Sequence, residues 1–405
     1  MTVMSLLQTG APLTAAAHGC PGHITYAEAG IVGLIQGVTE LFPVSSLGHN
    51  VLLPALMGGC WAKSLNVAAD ESPYLAFIVG LHVATAIALL IYFWRDWVRI
   101  IKGFFTSLGQ IVWPARGTSR WDLQRDEKLA WLIILATIPV GLVGLVFEHT
   151  FRVIFGKPAY AAVFLVVNGL ILIAGERFRR RSSLEADDQI AAEREYAVSG
   201  AYRNDGRYHR DQGQYYREEE GMYHQEQGRY HQDDDDRDYD RYYRDEDRHY
   251  VREARHAGGR RAERAEELDD AVESDERLSA MGFTQAVVIG SSQILALLAG
   301  ISRDGVTMVT GMTRGLSRED AARFAFLLAT PVILAAGALK IPDLMGPLGS
   351  GIHGQVLFGS VLSGVGAYVS VRFLVRYFQT RTLTPFGIYC IVAGLASLVY
   401  LQLIK

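Results

Sequence analysis

The chain has 405 residues, with 39 Lys and Arg against 43 Asp and Glu, and no nucleic-acid partner is expected of it. Its three cysteines, Cys20, Cys60 and Cys390, have neither paired nor metal-like spacing, which argues against a disulfide framework or a zinc site and reads them as small buried hydrophobes. The mean hydropathy of +0.13 averages very apolar stretches with one very charged region between Arg177 and Arg277, so the ordinary value conceals a membrane protein.

Before Glu28 there is no acid and before Lys63 no lysine or arginine, so a secretory signal with a basic start is not predicted and residues 1–28 read as a neutral, weakly ordered tail. The stretch from Gly30 to Met57 is apolar but broken by polar and small residues. Its first arm sets Gln36 and Glu40 four residues apart, on one helix face. An acid at membrane depth is costly and usually functional, although a helix-end residue at the membrane surface gives the same pattern. Phe42-Pro43 ends the arm, and Val44-Ser45-Ser46-Leu47-Gly48-His49 follows as a polar turn into a second arm, whose first backbone N–H groups can cradle phosphate oxygens. Ser46 and His49 stand close enough to supply a nucleophile and a proton carrier, or equally an N-cap and a packed ring.

Crossing the hydrocarbon core takes about 20 mostly apolar residues. Six stretches approach that length: Tyr74–Trp94, Leu129–Phe147, Tyr160–Gly175, Phe324–Ile341, Val356–Tyr377 and Pro385–Ile404. Basic residues follow the first span (Arg95, Arg99, Lys102) and the third (Arg177 to Arg181), precede the fourth (Arg314, Arg318, Arg323) and surround the end of the fifth (Arg372, Arg376, Arg381). Lys and Arg collect on the cytoplasmic side, which places all of these ends there. Residues 182–280, dominated by Arg, Asp, Glu, Tyr, Gln and His, then form a cytoplasmic insertion with too few aliphatic residues for a core, predicted disordered apart from a helix near Arg260 to Leu268. Its histidines lack a tight ligand spacing.

A second broken segment, Phe283 to Met312, contains Ser302-Arg303-Asp304-Gly305-Val306-Thr307. Arginine is the bidentate clamp for phosphate and for the charge that develops during its transfer, though Arg303 could also mark a membrane flank or pair with Asp304. Gly33, Gln36, Ser45 and Gly48 recur at the same spacing as Gly290, Gln293, Ser302 and Gly305. With the charge-derived topology this predicts an all-α polytopic membrane protein of two inverted repeats, 29–181 and 281–405, each a re-entrant helical hairpin plus three transmembrane helices. The arms of the hairpins are too short to cross twice, except that Phe283–Ile301 is long enough for one span; Gly305–Thr313 is then too short a path back to Arg314, which keeps the re-entrant expectation.

Gln36-Gly37-Val38-Thr39-Glu40 with Pro43 to His49, and Ala299-Gly300-Ile301-Ser302-Arg303-Asp304-Gly305-Val306-Thr307, resemble the two motifs of the undecaprenyl-diphosphate phosphatase family associated with bacitracin resistance. Gln36 takes the first acidic position of that pattern, Asp304 replaces a serine and Ala299 a proline. The resemblance covers the apolar halves and not the insertion. It implies hydrolysis of undecaprenyl diphosphate to undecaprenyl phosphate and inorganic phosphate, with membrane lipid around the substrate, as cell-wall synthesis requires, and it is compatible with a homodimer. It implies Glu40, Ser46, His49 and Arg303 as catalytic residues and Gln36, Ser45, Gly48, Ser302, Gly305 and Thr307 as substrate-binding ones. Ser46 then attacks phosphorus while His49 moves protons, or His49 attacks and Ser46 donates a hydrogen bond. Glu40 is the candidate to orient water or hold a divalent cation, Mg or Ca. The charge-derived orientation opens the site to the external face. A lipid flippase is the competing expectation, since inverted repeats suit alternating access.

Overall fold

A computed structural model describes residues 23–65, 73–112, 123–204, 273–346 and 349–403. Among them there are helices and no strand. In chain order the α-helices are α1 (Tyr26–Leu41), α2 (Ser46–Met57), α3 (Gly59–Ser64), α4 (Pro73–Tyr92), α5 (Trp94–Val112), α6 (Arg125–Phe155) and α7 (Pro158–Asn204). After the residues not described come α8 (Glu273–Ser279), α9 (Phe283–Ser291), a 3-10 turn (Ser292–Leu297), α10 (Arg303–Thr313), α11 (Arg318–Met345), α12 (His353–Thr380) and α13 (Thr384–Leu403). The tail before residue 23, most of the insertion and its expected helix near Arg260 lie outside the described residues.

Six helices are long and apolar enough to span a membrane, and they coincide with the six stretches predicted from sequence. Their outward residues, such as Leu142, Val361 and Val392, are exposed and apolar, as lipid requires. The chain is therefore a multi-pass membrane protein. The third span does not stop at its basic run, because α7 continues to Asn204 into the stretch expected to be disordered. Ala, Glu and Arg, all good helix formers, recur along that extension. Cys60 also departs from expectation, being disulfide-bonded, with its partner outside the described residues; Cys390 is free and buried. The spacing of three cysteines could not show a bond made by chain folding.

The re-entrant hairpins follow from local rules. Thr25 and Glu28 cap α1 reciprocally, Glu28 N–H donating to Thr25 Oγ1 at 3.2 Å and Thr25 N–H to the Glu28 carboxylate at 2.8 Å. Pro43 lacks the N–H to extend the helix. At 1.5 Å per residue α1 reaches about 24 Å, short of the roughly 30 Å hydrocarbon core. In the second segment the helix tightens to 3-10 at Ser292 and turns at Gly300, whose φ of +112° suits only glycine. Gln285, near its entrance, donates from Nε2 to the Arg314 carbonyl at its exit (2.7 Å), so both arms begin and end at one level.

The basic ends gather on one face. Arg318 donates to Glu176 (Nε to Oε1 3.0 Å), while Arg323 lies 3.0 Å from both Asp275 and Asp96, and Arg99 bonds the same two acids at 2.8 and 2.6 Å. The second hairpin enters from this face. The first enters from the opposite one, where the Tyr26 ring packs on Phe358 near the start of α12. Along α1, Gly33 and Gly37 rest against the backbones of Gly359 and Ser363 on α12. With no hydrophobic drive between helices in lipid, such close approach of small residues is what joins them.

Candidate active site

The two hairpin tips touch near the middle of the bundle. Ser45 has a φ of +68°, the only positive value outside glycine among the described residues, and its Oγ accepts from Gly48 N–H and from Gly300 N–H, each at 3.2 Å. The second hydrogen bond crosses from one tip to the other and helps hold the unusual backbone of Ser45. Ser302 repeats the local design, its Oγ capping α10 by accepting from Gly305 N–H at 3.1 Å. A methyl group on Gly48 would stand 2.9 Å from Gly300 Cα, so glycine is needed for the tips to meet. Gly305 is likewise closely packed, against Leu172 and Ser302. These five residues build the tips.

Asn168, buried in the third span, ties the tips together. Its Nδ2 donates to the Pro43 carbonyl at 3.0 Å and its Oδ1 accepts from Ser302 N–H at 2.9 Å. Asn168→Leu leaves the Ser302 N–H unpaired and the Pro43 carbonyl with only the long 3.9 Å contact from Cys390 Sγ, and a buried unpaired group costs about 1–3 kcal/mol. We expect a lower melting temperature in detergent and at least about a ten-fold loss of turnover. Unchanged values for both would contradict this account.

Glu40 is 8% exposed and sits where the tips converge. Its Oε1 accepts from Arg303 Nη2 at 3.0 Å, and its Oε2 accepts from Gln36 Nε2 at 2.7 Å and Ser46 Oγ at 2.5 Å. His82 Nε2, from α4, stands 3.3 Å from the same Oε2. Gln36 Oε1 accepts from Asn50 Nδ2 at 2.5 Å, which fixes which way the amide faces. Arg303 Nε donates to Asp304 Oδ1 at 3.2 Å, so the guanidinium is held between two carboxylates, while Asp304 Oδ2 is buried without a partner.

Ser46 thus points its hydroxyl at Glu40. His49, on the same helix, has Nδ1 2.7 Å from the Ser45 carbonyl and Nε2 2.8 Å from the Tyr389 hydroxyl, with the two rings stacked. A carbonyl only accepts, so Nδ1 carries the hydrogen there. Thr307 gives its hydroxyl hydrogen to the Arg303 carbonyl at 2.8 Å and supports the helix.

A resident divalent cation does not fit these residues. Both oxygens of Glu40 already receive protein donors, and no three His, Cys, Asp or Glu stand together as a ligand set among the described residues. A cation there would also meet the charge of Arg303.

Sequence reasoning missed His82, Asn168, Asn50 and Tyr389. For the first two a signal was present, a histidine and an amide inside otherwise apolar spans, where such groups are functional by default. Asn50 and Tyr389 gave none, because their partners are fixed only by packing.

The family described as bacitracin resistance protein BacA matches residues 29–200 and 259–396, leaving out the middle of the insertion. An undecaprenyl-diphosphatase of Mycolicibacterium paratuberculosis is 51% identical over 94% of this chain and 99% of its own length. An undecaprenyl-diphosphatase 2 of Frankia alni is 46% identical over 92% and 96%, and one of Burkholderia ambifaria 33% over 92% and 95%. With both motifs meeting at one buried site and this likeness running nearly end to end, the chain belongs to the BacA family.

Proposed function

We propose that this chain is a membrane phosphatase that hydrolyses undecaprenyl diphosphate to undecaprenyl phosphate and inorganic phosphate, recycling the lipid carrier for cell-wall synthesis. The observation behind it is that a hydroxyl bonded to a carboxylate, Ser46 to Glu40, is placed beside Arg303 from the other hairpin. Nucleophile, base and anion clamp are the parts that phosphoryl transfer needs.

Ser46 Oγ forms a bond to the terminal phosphorus as the bond from phosphorus to the bridging oxygen breaks. The lipid phosphate leaves with that oxygen and its electron pair, and the serine proton passes to Glu40. Arg303 turns from Glu40 toward the equatorial oxygens, oriented through Nε by Asp304. Water then attacks the phosphoserine, losing one proton to His49 Nε2, while Ser46 Oγ leaves and recovers its proton from Glu40. One proton reaches solvent per turnover. The lipid tail rests among the spans.

The site is proposed to open on the external face. The basic ends mark the opposite, cytoplasmic side, and the disulfide of Cys60 on α3 suits an oxidising compartment. A flippase has no use for a nucleophile paired with a base.

Purified protein given a polyprenyl diphosphate in detergent is expected to release inorganic phosphate. No release, with or without Mg or Ca, would sink this reading; movement of intact lipid across vesicles would replace it with transport.

A further inference from the structure

Glu40 has two basic neighbours, one on each oxygen. Arg303 covers Oε1 at 3.0 Å, and the second is His82, 3.3 Å from Oε2, on a span that belongs to neither motif. The ring of His82 is fixed from behind, Nδ1 lying 2.9 Å from the Ile78 carbonyl one helical turn earlier. A carbonyl oxygen only accepts, and so does a carboxylate. Both nitrogens therefore face acceptors, which only the doubly protonated imidazolium satisfies. Gln36 reaches the same Oε2 from α1, but a neutral amide brings no charge.

We propose that His82 is a positioning residue for the reaction: as an imidazolium it holds Glu40 ionised and aimed at Ser46 while Arg303 swings to the phosphate. The inference rests on the phosphatase reading above and adds to it a group outside the motifs. When Arg303 leaves Oε1 for the substrate, Glu40 loses one cation at the moment it must act as a base. His82 stays, because its substrate-independent partner is a backbone carbonyl of its own helix. It also adds a second positive charge near a site that must take a polyanion.

The charged groups around this pair are few among the described residues. Arg303 on α10 faces Glu40, and Asp304 stands behind Arg303. His49 on α2 faces Ser45 and Tyr389 rather than Glu40. The acidic limb of the turnover–pH profile should accordingly report Glu40 under the influence of His82 and Arg303.

The test compares wild type with His82→Gln and His82→Ala in the polyprenyl diphosphate assay across pH. Glutamine keeps a donor for Oε2 without the charge. We expect kcat to fall about 10–100-fold with KM changed less than about three-fold, since the effect is on the chemical step. The acidic limb should move to higher pH, because an acid without its cationic neighbour ionises later. His82→Lys, which restores a positive charge, should recover part of kcat and move the limb back. Wild-type kcat and an unmoved limb in His82→Gln would overturn the proposal, and so would an equal loss in all three variants with an unmoved limb, the mark of a merely structural role. Should His82→Ala fail to fold, His82→Gln decides. Absence of phosphate release by the wild type overturns the phosphatase reading itself, an outcome distinct from a fully active His82→Gln beside an inactive Ser46→Ala.

Discussion

Ser46→Ala is expected to reduce phosphate release by roughly four orders of magnitude while the protein folds and elutes as wild type. Ser46 occupies the first helical position of α2, but the cap is Ser45, so alanine at 46 removes no capping bond. What it removes is the hydroxyl bonded to Glu40. The carboxylate loses one of three donors on Oε2 and keeps Gln36 and His82, so the ion pair with Arg303 persists. Loss of activity without loss of structure is therefore the outcome. A phosphorylated serine trapped in wild type after acid quench, and missing in Ser46→Ala, checks the same claim independently. Substantial turnover in Ser46→Ala would hand the attack to His49 or to water and overturn the assignment.

Gly37→Leu should prevent the folded protein from accumulating at all. A Cβ at Gly37 would collide with the backbone oxygen of Ser363, which has no room to retreat because Ser363 Oγ itself lies 3.3 Å from the Leu81 carbonyl of α4. The substitution must therefore push α1 off α12. Overpacking in a close-packed interior costs about 1–3 kcal/mol when side chains can adjust; here the obstacle is main chain, and the loss should exceed that range. Because α1 also carries Gln36 and Glu40, displacement would undo the site along with the fold. Measured by monodisperse yield and melting in detergent, Gly37→Leu should fall far below Gly141→Leu, whose Cβ would meet open space. Equal yields would refute the close-packing argument.

Much of this was readable from residue order. Spans announce themselves by length and apolarity, since backbone groups in lipid must bond within their own helix. The pairing of Ser45 with Gly48 and of Ser302 with Gly305 appears in the sequence as a recurrent spacing and in the structure as two side-chain N-caps. The opposed hairpins follow from where the basic residues fall. Partner choice was less legible. The spacing of Ser46 and His49 invites a direct pair, yet a helix turns by about 100° per residue, and the hydroxyl finds Glu40 while the ring finds Tyr389 from the last span.

The sequence by itself determined the membrane class, the number of spans and the two polar breaks, and it supplied the candidates for attack, clamping and proton transfer, because these depend on composition and on spacing within a single helix. Only the tertiary structure decided that the hairpins meet tip to tip, that Asn168 joins them and that Glu40 is shared by Ser46, Arg303 and His82. Some of those contacts join residues more than 250 positions apart, such as Glu40 and Arg303, separated by 263. Their distances are set by how glycines and small side chains let helices approach, which no local pattern encodes.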